Sequence, residues 1–356
     1  MKLIEQQPTM PNRPPFFSIV IPVYNGGQAF VACLQAITRS NFRDWELIVV
    51  DDGSSDDSAL VAQSFGAKLL QTQGRWGAGA ARNLGAKAAQ GEYLCFIDAD
   101  CEAYPDTLSR LAEALKQDPH LGAIFGSYDD APKAENFVAQ FKNLMHHYTH
   151  QVAQTEATTF WTGCGAVRRS LFLRLGGFDA HYIEDIHLGY RIRQTGSKIH
   201  LVKQAQVKHH KAWKLAHLIK VDVWERGVPW TRLLLEQPER FRSDLNLTNS
   251  SRISVVAVYS LLPLLPLALG LPQVAGLLLV PILTLLWLNR EFYQFFYHKR
   301  GLLFTVQAVL MHWLYYGYSG VAFGLGLLLH KFQPVTSRRP RVRRVLKRLV
   351  GLSDVY

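Results

Sequence analysis

Tyr93-Leu94-Cys95-Phe96-Ile97-Asp98-Ala99-Asp100 decides the reading of this chain. Five apolar residues without alternation read as a strand buried on both faces, the pattern of a parallel sheet covered by helices. The run ends in two carboxylates two residues apart. Open α/β sheets bind ligands beyond the carboxyl ends of their strands, so the acidic pair lies where a ligand is expected. Hard oxygen donors in that place suit Mg²⁺ or Mn²⁺ holding a diphosphate. Taken alone, Asp-x-Asp is a short motif that a solvated turn explains equally well.

The residues before it repeat the pattern. Residues 17–24 read as a first strand, broken by Asn25-Gly26-Gly27. Phe30, Leu34 and Ile37 then recur at helical spacing over 28–39. Residues 46–51 read as a second strand, and Asp52-Gly53-Ser54-Ser55-Asp56 as a turn able to cap a helix over 57–65. A short strand near Lys68-Leu69-Leu70 precedes a Gly/Ala-rich segment, 74–89, that opens into a helix. This βαβαβ alternation predicts a mostly parallel sheet with helices on both faces. Further on, the spacing predicts a helix over 105–117 opened by Pro105 and a strand over 123–128. It also predicts a helix over 133–150 bearing Phe137, Phe141, His146, His147 and Tyr148. Tyr182-Ile183-Glu184-Asp185 leads into a helix through Arg193, and a strand or two cover 198–209.

The 356 residues, 48% hydrophobic, are unevenly composed. The first 250 or so look like a soluble α/β protein, whereas 253–329 is mostly apolar, rich in Leu and poor in charge. Much of the net charge of +11 comes from the tail: Lys331, Arg338, Arg339, Arg341, Arg343, Arg344, Lys347 and Arg348 face only Asp354. Nucleic acid is one partner for such a run. Beside hydrophobic spans, anionic membrane lipids are the better one. Val342, Val345, Leu346, Leu349 and Val350 fall at helical spacing among these cations, so 331–356 reads as a basic amphipathic tail, with a disordered basic tail as the alternative. Cys33, Cys95, Cys101 and Cys164 form no Cys-x-x-Cys pair, which fits reduced thiols and neither a disulfide framework nor a zinc site. Residues 1–15 have no apolar core and read as a flexible leader rather than a signal peptide.

Several pieces in order resemble the family 2 glycosyltransferases, which share the GT-A fold. They are Ile21-Pro22-Val23-Tyr24-Asn25, the Val49–Asp56 stretch (Val-Val-Asp-Asp-Gly-Ser-Ser-Asp), Ala80-Ala81-Arg82-Asn83, Asp98-Ala99-Asp100, Gly176-Gly177-Phe178-Asp179, and Glu184-Asp185 with Leu188 and Arg191. The resemblance covers roughly residues 17–205. It implies a Rossmann-like catalytic domain over 16–208 and a nucleotide-sugar donor. Pro22, Tyr24 and Asn25 would line the base, and Asp52 would accept an imide N–H, which favours uracil and hence a UDP-sugar. The alternative for Asp51 or Asp52 is a helix cap. Arg82 would lie near base and diphosphate, where a guanidinium suits an anionic partner. Asp98 would reach the ribose or the metal's water shell, and Asp100 the Mg²⁺ or Mn²⁺ itself. Asp185 would be the general base for an acceptor hydroxyl, with Glu184 orienting acceptor or base. An acidic first turn favoured by the helix dipole is the plainer account of that pair. Gly163-Cys164-Gly165 resembles the family's small-residue loop beneath the acceptor, with Arg168 as scaffold.

Residues 209–252 read as an amphipathic membrane-interface segment. Membrane-bound members of the family often carry Gln-x-x-Arg-Trp after the acidic pair. Here Arg226 and Trp230 stand about 40 residues after Asp185, without the Gln and with Trp four residues on, as an analogue in which Arg226 meets the diphosphate and Trp230 a sugar. Interfacial anchoring by Trp and Lys/Arg is the alternative, and both fit together. His209-His210 reads as a surface pair, with contact to metal or diphosphate as the alternative. The region 253–330 holds three apolar segments, 253–270, 271–288 and 302–329, for two to four spans. Pro272-Gln273 reads as an uncharged tight turn between the first two segments, so that Arg252 and Asn289-Arg290 both sit on the cytoplasmic side.

The sequence thus points to an inverting glycosyltransferase on a bacterial-type inner membrane, multi-pass, with a cytosolic catalytic domain. Its acceptor would be a membrane lipid or lipid-linked hydroxyl, in glycolipid or cell-envelope polysaccharide synthesis. A polyprenyl phosphate acceptor, already anionic, would need no base. An inactive membrane scaffold that keeps the fold is the rival from another class.

Overall fold

The computed structural model describes residues 13–179, 183–236 and 248–332. Among them an eight-stranded sheet runs in the order β3-β2-β1-β4-β7-β6-β8-β5. Its strands are β1 (Phe17–Val23), β2 (Trp45–Asp51), β3 (Lys68–Gln71), β4 (Tyr93–Ile97), β5 (Cys101–Ala103), β6 (Leu121–Tyr128), β7 (Cys164–Arg168) and β8 (Lys198–His209). The first half, β3-β2-β1-β4, is parallel, as the βαβαβ reading requires. In the second half β7 runs antiparallel to both β4 and β6, and β5 antiparallel to β8, while β6 and β8 are parallel, so the sheet is mixed, with parallel pairs in the majority. The cause is long-range. β7 returns beside β4 after a connection whose length and burial no local pattern reveals.

Helices α1 (Gly27–Thr38), α2 (Ser58–Ser64) and α4 (Thr107–Gln117) cover one face, and α3 (Ala78–Ala88), α6 (Arg169–Arg174) and α7 (Glu184–Gln194) the other. Strand alternation divides the core between them. Ile19 and Ile21 of β1 meet Phe30, Leu34 and Ile37 of α1, while Val20 faces the cluster of Phe96, Phe172, Leu188 and Ile192.

β5 was not legible in the sequence. Its three residues follow the acidic pair directly, and Cys101 registers against His209 at the end of β8. That pairing brings His209, the last residue of β8, beside Asp100.

The C-terminal half is tied to this domain. α5 (Phe137–Val152) lays its aromatic face on α12 (Arg290–Phe332), with Phe141 stacked on Phe296 at 5.6 Å between ring centroids and Phe137 against Phe304 at 5.0 Å. This explains the aromatic cluster read from 133–150. Between them lie α8 (Leu215–Lys220), a π-helical stretch (Val221–Gly227), α9 (Val228–Glu236), α10 (Asn249–Gly270), a 3₁₀ turn (Pro272–Leu278) and α11 (Leu279–Leu288).

Of the three apolar segments, only α10 forms one helix long and apolar enough to cross a membrane. The second is broken by the 3₁₀ turn at Pro272, leaving the 10 residues of α11, about 15 Å of rise against a core of about 30 Å. The third belongs to α12, which breaks at Gly301 (φ 79°). Pro272–Leu288 and Arg290–Phe332 meet at 65° and would count at most as one bent span. The leader through residue 12 and the basic tail from residue 333 lie outside the described residues.

Candidate active site

The site is assembled on Arg82. This side chain, on the buried face of α3, sends Nη2 to Asp98 Oδ1 at 2.5 Å and Nη1 to Glu184. Asp98 closes β4, and its N–H donates to the Gly163 carbonyl at 3.3 Å. Glu184 opens α7. One guanidinium therefore joins a helix, a strand end and a helix N-terminus that lie far apart in sequence. Burial works against its charge, but Asp98 and Glu184 outweigh that and hold it protonated. The sequence reading gave Arg82 to the base and diphosphate. In the structure its terminal nitrogens bond to the Asp98 and Glu184 carboxylates. Glu184 likewise faces α3, where a Cβ on Gly79 would strike its carboxylate, so only glycine admits this approach.

Asp98, Asp100 and Cys101 bring one ligand atom each within 4.8 Å of one another. Burial first, then the charges of Asp100 and Asp98, push the Cys101 thiol well above its usual range, so a neutral sulfur stands beside two carboxylates. The donor set is hard oxygen, which fits Mg²⁺ or Mn²⁺. Asp100 has a further partner. His209 Nε2 lies 3.5 Å from its Oδ2, and the imidazole stacks on Tyr128 at 4.3 Å. Burial opposes ionisation of Asp100, but the hydrogen bond and charge of His209, with the charge of Lys211, carry its pKa below the usual carboxylate value. His209 is thus buried at the acidic motif and not the surface histidine its sequence suggests. Its neighbour His210 pairs with Glu102 at 2.9 Å.

Asp185 follows Glu184 in the first turn of α7 and accepts the Ile186 N–H at 2.8 Å. Burial, then the charge of Glu184, raise its pKa to about 6, against the pull of that hydrogen bond, Arg82 and Arg226. A carboxylate in this range takes protons near neutral pH.

The loops beside β1 and β2 carry the remaining donor-site candidates. Asp52 accepts the Thr72 hydroxyl at 3.0 Å and the N–H groups of Trp76 and Gly77, both at 2.8 Å. Both its oxygens thus hold the loop that starts α3, and the residue is 3% exposed. In the structure Asp52 acts as an anchor of that loop. Asp51 accepts the Ser54 N–H at 2.9 Å, so neither aspartate caps α2. Asn25 adopts φ 49° and accepts the Ser55 N–H at 2.8 Å, while the partly exposed Tyr24 carries the Arg75 guanidinium 4.2 Å above its ring. Pro22 lies next to them in β1, registered against Val50. Asp52 reaches the acidic cluster through Gly77 and α3, whose Gly79 abuts Glu184.

Residues 18–176 match the family model described as Glycosyl transferase family 2. The chain contains a family 2 glycosyltransferase domain. Glycosyltransferase GlyG of Streptococcus pneumoniae is 30% identical over 116 residues, 31% of this chain and 38% of that protein. The PGL/p-HBAD biosynthesis glycosyltransferase of Mycobacterium bovis is 33% identical over 129 residues, 35% of this chain and 50% of that protein. The chain thus spans half or less of the length of these two relatives. In fold it is similar to the mannosyltransferase PcManGT of Pyrobaculum calidifontis, solved with GDP-Man and Mn²⁺. That likeness has a TM-score of 0.50 at 16% identity and covers 98% of this chain and 92% of the other.

Other elements reach this candidate site from beyond the matched residues. Arg226, at the end of the π-helical stretch, lies close enough to lower the pKa of Asp185. It is half-exposed and bonded to Asp222 at 3.2 Å. Trp230, in α9, is partly buried, and its indole N–H has no hydrogen-bond partner among the described residues. Gly163 packs under the Trp161 ring, which meets Tyr128 edge-on at 4.7 Å. Arg168 is scaffold, paired with Glu92 at 3.1 Å and lying over Tyr93. The cysteines are buried and free. Tyr128 and Trp161 escaped the sequence reading, and His209 read mainly as a surface residue, because no local pattern shows what these side chains touch. Strand pairing alone brings them to Asp100 and Gly163.

Proposed function

We propose that this chain is a divalent-metal-dependent, inverting glycosyltransferase that moves a sugar from a nucleotide donor to a hydroxyl of a membrane lipid or lipid-linked acceptor. The observation that carries this reading is the guanidinium of Arg82 held between Asp98 and Glu184, which ties the acidic pair of β4 to the start of α7. Asp185 takes the proton of the acceptor hydroxyl as its oxygen attacks the anomeric carbon. Attack opposite the departing nucleoside diphosphate inverts that centre. Asp98 and Asp100 would hold Mg²⁺ or Mn²⁺, which supplies Lewis-acid neutralisation of the leaving group. Arg226 adds a positive charge on the same side. The raised pKa of Asp185 favours a hydroxyl acceptor over a polyprenyl phosphate, which needs no base.

The anchoring role of Asp52 weakens the case for uracil, so donor choice rests on the surface formed by Tyr24, Asn25 and Arg75. PcManGT was solved with a guanine nucleotide, and GDP-sugars stand beside UDP-sugars as donors to test.

Membrane attachment is supported by α10, whose apolar window is only 17% buried. Val256, Leu262 and Leu269 face outward from it. Trp287 and Arg290, 5.5 Å from ring to guanidinium, supply an interfacial aromatic and cation near the end of α11. In this reading the catalytic domain lies on the cytosolic face of a bacterial-type inner membrane.

The test is direct. Membranes containing the protein are incubated with radiolabelled UDP- and GDP-sugars, and the lipids are extracted. Label moves to the organic phase, with Mn²⁺ or Mg²⁺ required and Asp185→Asn inactive. Absence of transfer from every donor, or transfer that survives Asp185→Asn, overturns the reading.

A further inference from the structure

Lys142, Asp222, Arg226 and Tyr318 form a polar cluster whose members come from separate elements. Lys142 lies on α5, Asp222 and Arg226 on the π-helical stretch, and Tyr318 on α12. The Asp222 carboxylate is the centre. It accepts Lys142 Nζ at 3.0 Å and 2.8 Å on its two oxygens, the Tyr318 hydroxyl at 2.9 Å, and Arg226 Nη1 at 3.2 Å. Lys142, Asp222 and Tyr318 are each less than a tenth exposed, whereas the Arg226 side chain is 44% exposed. Lys142 and Tyr318 therefore hold a buried carboxylate that in turn holds the guanidinium of a half-exposed cation.

A buried ion pair of this kind is weak evidence for stability, since desolvation consumes most of its Coulomb gain. Its better use is to specify an arrangement. π-helical stretches are rare and concentrate at functional sites. This one ends on Gly227, where an added Cβ would come within 2.6 Å of Ala322 on α12. Contact at that range leaves the two helices one relative position. Tyr318 lies one turn before Ala322 on the same helix, so the seat of α12 and the aim of Arg226 are fixed together.

We propose that Asp222 is a positioning residue that directs Arg226 into the catalytic pocket, and that it does so only while α12 is seated, because Tyr318 holds the same carboxylate. This rests on the glycosyltransferase reading and extends it. The C-terminal helix becomes a condition for donor turnover as well as an attachment. The protein would then be most active when its apolar helices are packed, which confines sugar transfer to the surface where the acceptor resides.

The experiment uses the full-length protein in membranes and measures kcat/KM for the nucleotide sugar. Tyr318→Phe, Asp222→Asn and Arg226→Ala are each made alone, and the first two are repeated in the Arg226→Ala background. Loss of a hydrogen bond to a charged group predicts a fall of roughly tenfold for Asp222→Asn and a smaller one for Tyr318→Phe. Both effects vanish once Arg226 is absent, because they act through it. Equal losses with and without Arg226, or wild-type kinetics in both variants, overturn the inference. Should Asp222→Asn fail to fold, the Tyr318→Phe pair decides alone. A wild-type protein that turns over no nucleotide sugar fails earlier, at the glycosyltransferase reading itself.

Discussion

Arg82 Nη2 and Asp98 Oδ1 stand 2.5 Å apart, with the arginine side chain 5% exposed and the aspartate 31%. A buried cation therefore fixes a carboxylate that still reaches solvent. Arg82→Ala leaves Asp98, Glu184 and Asp185 without their shared counter-charge. We expect it to abolish measurable transfer and to cost about 2 kcal/mol of stability, below the ~3–5 of fully buried pairs because the carboxylates rehydrate. Arg82→Lys keeps the charge but cannot reach both partners, so most activity is lost with less destabilisation. Kinetics and urea denaturation of both variants check this.

Asp185 sets the pH dependence. The base works only when ionised, so kcat/KM falls as pH drops through about 6 and is level above it. Asp185→Asn is expected to cost on the order of a hundredfold or more and to remove that limb. The linkage has a definite sign. The folded carboxyl binds its proton more tightly than the unfolded one, so this group's contribution to stability is present below the ordinary aspartate pKa and is lost as pH rises through about 6. Urea midpoints across that range should decline less in Asp185→Asn than in the parent protein.

Removal of divalent ions is the next measurement. Chelation should stop transfer, and Mn²⁺ or Mg²⁺ should restore it. Asp100→Asn should raise the metal concentration needed for half activity by at least roughly tenfold, the loss expected for a direct ligand and not merely a supporting one. An unchanged metal requirement in that variant would remove Asp100 from the ligand set.

Gly79 tests the packing of α7 on α3. A Cβ there collides with the Glu184 carboxylate. Gly79→Ala should push Glu184 off Arg82 and lower kcat while leaving the thermal midpoint nearly unchanged, since alanine favours the helix that glycine weakens. Parent-like kcat would show that the contact between these helices is not needed for turnover.

The membrane reading makes its own prediction. Val256 and Leu262 are 69% and 62% exposed on α10. An arginine at a lipid-facing position near the helix centre costs about 2.5–3.5 kcal/mol on insertion scales. Val256→Arg with Leu262→Arg should therefore shift the protein out of floated vesicles. Continued flotation would mean that α10 is not the anchor.

Much of the fold was readable because its signals are local. The unbroken apolar runs of β1, β2 and β4 announce strands covered on both faces, and the bounds of β8, 198–209, follow from its flanking turns. The C-terminal segments are less legible for a related reason. Hydropathy counts apolar residues and does not register the 3₁₀ turn over Pro272–Leu278 or the 65° bend between Pro272–Leu288 and Arg290–Phe332.

The chain's own order of residues was enough to place Asp98, Asp100 and Asp185 at element ends, because a strand's exit and a helix's first turn are written in the few residues around them. It was not enough to say what each side chain touches. Asp52 became a loop anchor, Arg82 a bridge and His209 a partner of Asp100 through contacts between residues about 20 to more than 100 positions apart. Such contacts form only when separate elements pack together, as the pairing of β5 with β8 brings His209 to Asp100, and that packing leaves no trace in a short window of sequence.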